Sequence, residues 1–271
     1  MGGAMLRSWT SWRASASAIR VFDPSFQASD GEQGFVKVGA SRDLLSEPRP
    51  AVLVVAVKPQ QLIAAVADLG LHIDESTLVV SVAAGVSLAE LRKLFPGSRA
   101  CVRAMPNTPI AIGQGVTVLC AEPRLDQIGA AAVEQLFRAG GAVHWLAEEA
   151  LLPAVTAVSG CGPAYVFHFT ESLAQAGVGL GLSKELADAL ARECVAGSAA
   201  LGAASHQSLT QLRIAVASPG GATEAGLEVL MREEGSLSDL MVRTLNAASS
   251  RARALGQAAE VSSQSVVGPC A

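Results

Sequence analysis

Along the first half of the chain, apolar runs of strand length alternate with stretches of helical period. Gly3–Trp12 places Met5, Leu6, Trp9 and Trp12 along one face of a helix. Short strands follow at Ile19–Phe22 and Phe35–Val38, separated by a turn at Asp23-Pro24 and a polar helix, and Ser41–Ser46 reads as a helical turn. Ala51–Val57 contains no polar residue, as a strand buried on both faces requires. Lys58-Pro59-Gln60 ends it, and Gln61–Leu69 has helical period. Leu78–Val82 is the next strand, and Ser87-Leu88-Ala89-Glu90 is a capping box opening another helix. Arg99–Arg103 is a strand that Pro106 and Pro109 should stop, because proline donates no ladder hydrogen bond. Strands Gly115–Cys120 and Ala142–Leu146 flank a helix over Leu125–Ala139. Strands alternating with helices through short turns predict an α/β domain with a doubly wound, Rossmann-type parallel sheet.

The pattern changes after Glu149. No strand-like run survives, and helices are expected at Leu151–Val158, Ala164–Gly177, Lys184–Ser205, Leu209–Ala217, Ala222–Glu234 and Leu237–Gly256. The expected division is a dinucleotide-binding domain over 1–148, an all-helical domain over 149–256, and a loose polar tail over 257–271.

Composition narrows the function classes. Half the residues are apolar, 16% are charged, and the net charge is −4 with no basic block, which excludes a nucleic-acid footprint. The five cysteines are odd in number, scattered and without a CxxC pair, so a reducing cytoplasm is expected rather than a disulfide framework. No apolar run approaches the roughly 18–20 residues that span a bilayer, and no secretory leader is read at the start. The four histidines have no metal-ligand spacing, so no metal site is expected.

In an open parallel sheet, ligands bind beyond the carboxyl ends of the strands. That rule singles out Lys58-Pro59, Ala83-Ala84-Gly85 and Asn107. A second candidate is Ser218-Pro219-Gly220-Gly221-Ala222-Thr223, ahead of a helix. Glycines there permit close backbone approach, and the free N–H groups of the first turn attract an anion. Taken alone the same stretch is also a turn with Thr223 as helix cap. Ser159-Gly160-Cys161-Gly162-Pro163 resembles it and is equally a tight turn; Cys161 has no histidine beside it in sequence.

Five motifs in order resemble the pyrroline-5-carboxylate reductase family: Ala56–Gln60 (AVKPQ), Ser81–Gly85 (SVAAG), Arg103–Pro109 (RAMPNTP), Ser159–Tyr165 (SGCGPAY) and Ser218–Thr223 (SPGGAT). The resemblance implies reduction of the cyclic imine 1-pyrroline-5-carboxylate to L-proline by hydride from NADPH, with NADH possible. It implies a homodimer or larger homo-oligomer built on the helical domain, acting on a small molecule, with no nucleic-acid or membrane partner. Carried over by position, Ala56, Val57, Lys58, Pro59, Val82, Ala83 and Ala84 would line the cofactor, with Asn107 near its nicotinamide end. Glu149, Gly221, Ala222 and Thr223 would contact the substrate, with backbone N–H groups around Gly221 holding its carboxylate. Thr223 would carry the catalytic hydrogen bond to the ring nitrogen.

The chain departs from the family pattern in places. Met1–Met5 matches only the tail of the family's Gly-x-Gly-x-x-Gly, so the strands at Ile19–Phe22 and Ala51–Val57 are expected to lack their shared neighbour. The expectation is a start assigned too far downstream; the rival is a genuine short form that is weak or inactive. Asp23 stands where a group for the NADP 2′-phosphate is common, and a carboxylate suits a ribose hydroxyl better. Asp43, Ile214-Ala215 and Cys161 also differ from the family's usual residues. A related imine or β-hydroxyacid dehydrogenase is the other alternative, although the latter needs a catalytic lysine and Lys184 is the only lysine of the helical half.

Overall fold

The computed structural model describes residues 1–11, 19–23, 35–46, 48–62, 65–66, 69 and 72–266, and these form two compact units, 1–161 with 248–271, and 162–247. Trp12, Pro24, the polar helix before Phe35 and parts of the helix at Gln61–Leu69 lie outside the described residues.

In the first unit, helix α1 (Gly2–Ser11) precedes β1 (Arg20–Val21) and β2 (Val36–Lys37), which pair in parallel as a small sheet of their own. A five-stranded sheet follows in the order β3 (Val52–Val55), β4 (Leu78–Ser81), β5 (Ala100–Pro106), β6 (Gly115–Ala121), β7 (Gly141–Trp145). Among the described residues β1 and β3 share no ladder and belong to separate sheets. β3, β4 and β5 run parallel, as do β6 and β7, but β5 and β6 pair antiparallel from Val102↔Ala121 to Pro106↔Thr117. The connection between them is a 3₁₀ turn at Thr108–Ile112, too short for the crossover a parallel pair needs. β5 also runs on through Pro106, against expectation. Its pairing with β4 ends at Arg103, so Pro106 lies where only the β6 side is paired and a missing donor costs little.

The alternation along β4 shows why the sheet is covered on both faces. Leu78 and Val80 join Met5 and Trp9 of α1 with Val133 and Phe137 of the helix Gln127–Arg138, while Val79 joins Leu62, Val66, Leu91 and Phe95 on the opposite face. Here α2 is Leu88–Leu94 and α3 is Gln127–Arg138. Trp9 donates its indole N–H to the Leu136 carbonyl (2.9 Å) and meets Phe137 edge to face, which fixes α1 on α3. A 3₁₀ turn at Glu149–Leu151, the short helix α4 (Leu152–Val155) and a π turn at Thr156–Gly160 complete this part.

The second unit holds α5 (Gly162–Gly179), α6 (Lys184–Ala204), α7 (Leu209–Val216), α8 (Ala222–Met231) and the start of α9 (Leu237–Val266). Its own core is slight: Ala174, Ala187 and Ala191 pack where α5 meets α6. Small side chains allow that close approach, but much apolar surface stays open, including Phe167, Phe169, Leu190, Leu201 and Ile214. Within the helical run Glu149–Gly179, one 18-residue window reaches a mean hydropathy of 1.4 with 11% of it buried, so by length and composition alone it could cross a bilayer. Thr156, Ser159, Gly160 and Gly162 interrupt this stretch, so it contains no unbroken apolar run of spanning length. α9 continues to Val266, so residues 257–266 are helical rather than a loose tail. Gln257, Ala258, Ala259 and Glu260 are all good helix formers.

Candidate active site

Three parallel strands of the first unit end side by side. β3 delivers Ala56, Val57, Lys58 and Pro59; β4 delivers Val82, Ala83 and Ala84; β5 delivers Asn107. Val82 extends the ladder, its N–H donating to the Val55 carbonyl (3.1 Å). The Ala83 N–H donates to Ser81 Oγ (3.2 Å), which turns the chain, and Gly85 at φ 83° completes the turn. A Cβ there would sit 3.0 Å from the Gly256 backbone nitrogen, so the position admits only glycine. Lys58 is exposed and precedes a 3₁₀ turn begun by Pro59.

The start of α1 lies at the same edge: a Cβ on Gly2 would be 3.4 Å from that of Ala56. The first N–H groups of a helix therefore come beside small residues at a parallel strand end. This combination fits the phosphates of a dinucleotide, which need close backbone approach and a positive helix end.

Asn107 is buried, and both ends of its amide are engaged. Nδ2 donates to the Ser159 carbonyl (3.1 Å) and Oδ1 accepts from the Val116 N–H (2.8 Å). It ties the ends of β5 and β6 to the π turn, a type of distortion common at functional sites. Sequence reasoning put Asn107 beside the cofactor and did not anticipate this bridging role.

Glu149 is likewise held. Its Oε1 accepts from Arg103 Nη1 (2.7 Å) and from the Leu88 N–H (2.8 Å), the first residue of α2. The Arg103 side chain is only 13% exposed and that of Glu149 31%. Among the described residues no donor is found on Oε2. Burial pushes the neighbouring Cys120 thiol up; the Glu149 charge adds to this and Arg103 opposes it. Arg103 was missed as a site residue. The signal was present: an arginine on the same face of β5 as buried Cys101 demands a counter-ion.

In the second unit, Gly220 adopts φ 69° and Gly221, not Thr223, caps α8, with no side-chain cap. The Gly221 N–H is used within the turn, donating to the Ser218 carbonyl (2.9 Å), and the Gly220 N–H donates to Glu224 Oε2 (2.6 Å). The Gly220 and Gly221 N–H groups are therefore committed within the turn. With a glycine cap, the first-turn N–H groups of Ala222, Thr223 and Glu224 have neither an intrahelical acceptor nor a cap side chain. Thr223 is exposed and its hydroxyl makes no hydrogen bond among the described residues.

Elsewhere, Cys101, Cys120, Cys161 and Cys194 are free thiols, and Lys184 pairs with Asp188 (2.9 Å) on an exposed face. His168 lies 3.5 Å from Glu171, also exposed, and no cluster of three metal-ligating side chains occurs among the described residues.

Residues 149–255 match the family model described as pyrroline-5-carboxylate reductase dimerisation. The chain is 35% identical over 245 residues to the pyrroline-5-carboxylate reductase of Pseudomonas aeruginosa, covering 89% of this chain and 88% of that protein. It is 40% identical over 206 residues to the Synechocystis enzyme of the same name, covering 76% and 75%. A solved pyrroline-5-carboxylate reductase from Coxiella burnetii superposes with a TM-score of 0.86 at 34% identity, over 94% of each chain. The Plasmodium falciparum enzyme with NADP bound superposes with a TM-score of 0.81 at 29% identity, again over 94% of each.

Proposed function

From a chain that belongs to the pyrroline-5-carboxylate reductase family, we infer the reduction of 1-pyrroline-5-carboxylate to L-proline, the last step of proline biosynthesis, with NAD(P)H. The observation that carries this reading is the start of α8. A glycine cap leaves the N–H groups of Ala222 and Thr223 for a carboxylate, and the Thr223 hydroxyl is uncommitted one residue further on. When bound, a nicotinamide would supply hydride to the imine carbon. Ala56–Pro59 and Val82–Ala84 hold the cofactor at the strand ends, and Asn107 shapes the same edge through its bond to Ser159.

The Thr223 hydroxyl donates a hydrogen bond to the ring nitrogen, which takes a proton from water as hydride adds to the imine carbon, giving the amine. A donor placed for that change, away from bulk water, is worth about 2.7–4 kcal/mol. Glu149 offers the substrate a carboxylate oxygen, and Gly221 lets the chain turn tightly enough to present the next two N–H groups. NADPH is the cofactor assigned here. Asp23, just after β1, leaves NADH as a second acceptable donor because its charge disfavours the extra phosphate.

The chain works as a homodimer or larger homo-oligomer in the cytoplasm. The thin alanine core and open apolar helices of 162–247 support the first point, and the scattered free thiols support the second. The division of labour is a dinucleotide-binding domain over 1–148 and a substrate and dimerisation domain over 149–256. Measuring pyrroline-5-carboxylate-dependent oxidation of NADPH and of NADH tests the reading. Turnover with either supports it, and activity only with 2-hydroxy acids or larger imines would replace it.

A further inference from the structure

We propose that Arg103 is a positioning residue of the substrate site, fixing one oxygen of the Glu149 carboxylate so that the other receives the substrate. The proposal rests on the reading that Glu149 contacts the substrate. Arg103 sits at the end of the β4–β5 ladder, opposite Ser81, and its side chain is largely removed from water. A guanidinium in that position is costly unless paired, and Glu149 is its partner at 2.7 Å. The same Oε1 takes the Leu88 N–H at the start of α2, where the helix dipole favours negative charge. Two donors on one oxygen leave the carboxylate unable to rotate without losing both. Oε2 has no donor among the described residues and, with the side chain 31% exposed, stays open to water or to a substrate. The arrangement is that of an acceptor held ready, which spares the substrate the entropy of ordering it.

The test compares Arg103→Met, Arg103→Lys and Glu149→Gln with the parent chain, reading KM for pyrroline-5-carboxylate, KM for NADPH, kcat and thermal unfolding. Loss of a charge-assisted hydrogen bond is worth on the order of tenfold or more, so Arg103→Met should raise KM for the imine by about that factor. KM for NADPH should not move, and Arg103→Lys should recover part of the loss because it restores the charge without the planar fork. If Arg103→Met fails to fold, Arg103→Lys decides alone: an unchanged KM for the imine overturns the proposal. An equal rise in both KM values also overturns it, since that marks a general structural role. If Glu149→Gln impairs imine binding while both Arg103 variants match the parent, the positioning role falls and the reading of Glu149 stands. If Glu149→Gln itself matches the parent, that reading fails and the proposal fails with it.

Discussion

Thr223 holds the second position of α8 with its hydroxyl exposed, and its replacement isolates one hydrogen bond. Thr223→Ala should lower kcat on the order of 100-fold while leaving thermal unfolding unchanged, because the side chain packs against no core. Steady-state kinetics beside a melting curve check both halves of that expectation. At this scale the motifs mark the turns and strand ends but not the contacts made within them. The Pro-Gly-Gly stretch identified the turn, yet which N–H groups it uses internally depends on Gly220 reaching φ 69° and on Glu224 folding back to it. Neither is written in residue identity. The pairing of Arg103 with Glu149 spans 46 positions, and only the burial of Arg103 makes the partner necessary.

The elements were legible where local chemistry decides them and illegible where tertiary contact does. The capping box at Ser87–Glu90 forms as its spacing dictates: Ser87 Oγ accepts from the Glu90 N–H (3.2 Å), and Glu90 Oε2 from the Ser87 N–H (2.8 Å). The extension of β5 through Pro106 depends on how far β4 reaches, which no local pattern reports. The junction of α3 and β7 is similar. Gly141 adopts φ 135°, and a Cβ there would lie 2.1 Å from the Gly115 carbonyl oxygen, which the β6–β7 ladder holds in place. Gly141→Ala should therefore cost at least about 2 kcal/mol, read as a lower melting temperature.

A second element-level prediction concerns Glu122, which receives two N–H groups of Arg92 (2.9 and 2.5 Å) and the Cys101 N–H (2.7 Å) just after β6. Burial alone would raise its pKa, but these donors outweigh it and hold the carboxyl below its ordinary value of 4.5. A depressed folded-state pKa means the contribution to stability is complete above the unfolded value and is lost as pH falls through the folded one. Acid unfolding of the parent should steepen below about pH 4.5. Glu122→Gln should flatten that dependence.

For the whole molecule, the contrast between the two units is the informative feature. The first buries Phe95, Phe137, Leu91 and Val79 completely around its sheet, whereas the second leaves most of its large apolar side chains in contact with solvent. A chain with that much open apolar surface is expected to run as a dimer or larger assembly in size-exclusion chromatography with light scattering; a stable monomer at micromolar concentration would contradict it. Fold class was legible because the alternation of strands and helices and its end near Glu149 are spread over the whole sequence. The boundary was less so, since Leu152 and Ala157 bury with the first unit although the helical pattern has already begun. The most direct test of the activity follows the reacting hydrogen itself. The purified chain is incubated with 1-pyrroline-5-carboxylate and NADPH carrying deuterium at the transferable position, and the amino acid formed is analysed by mass spectrometry. The expected product is L-proline one mass unit heavier, with the label on the former imine carbon. A correctly folded chain that leaves the imine unreduced, or proline that forms without the label, would contradict that expectation.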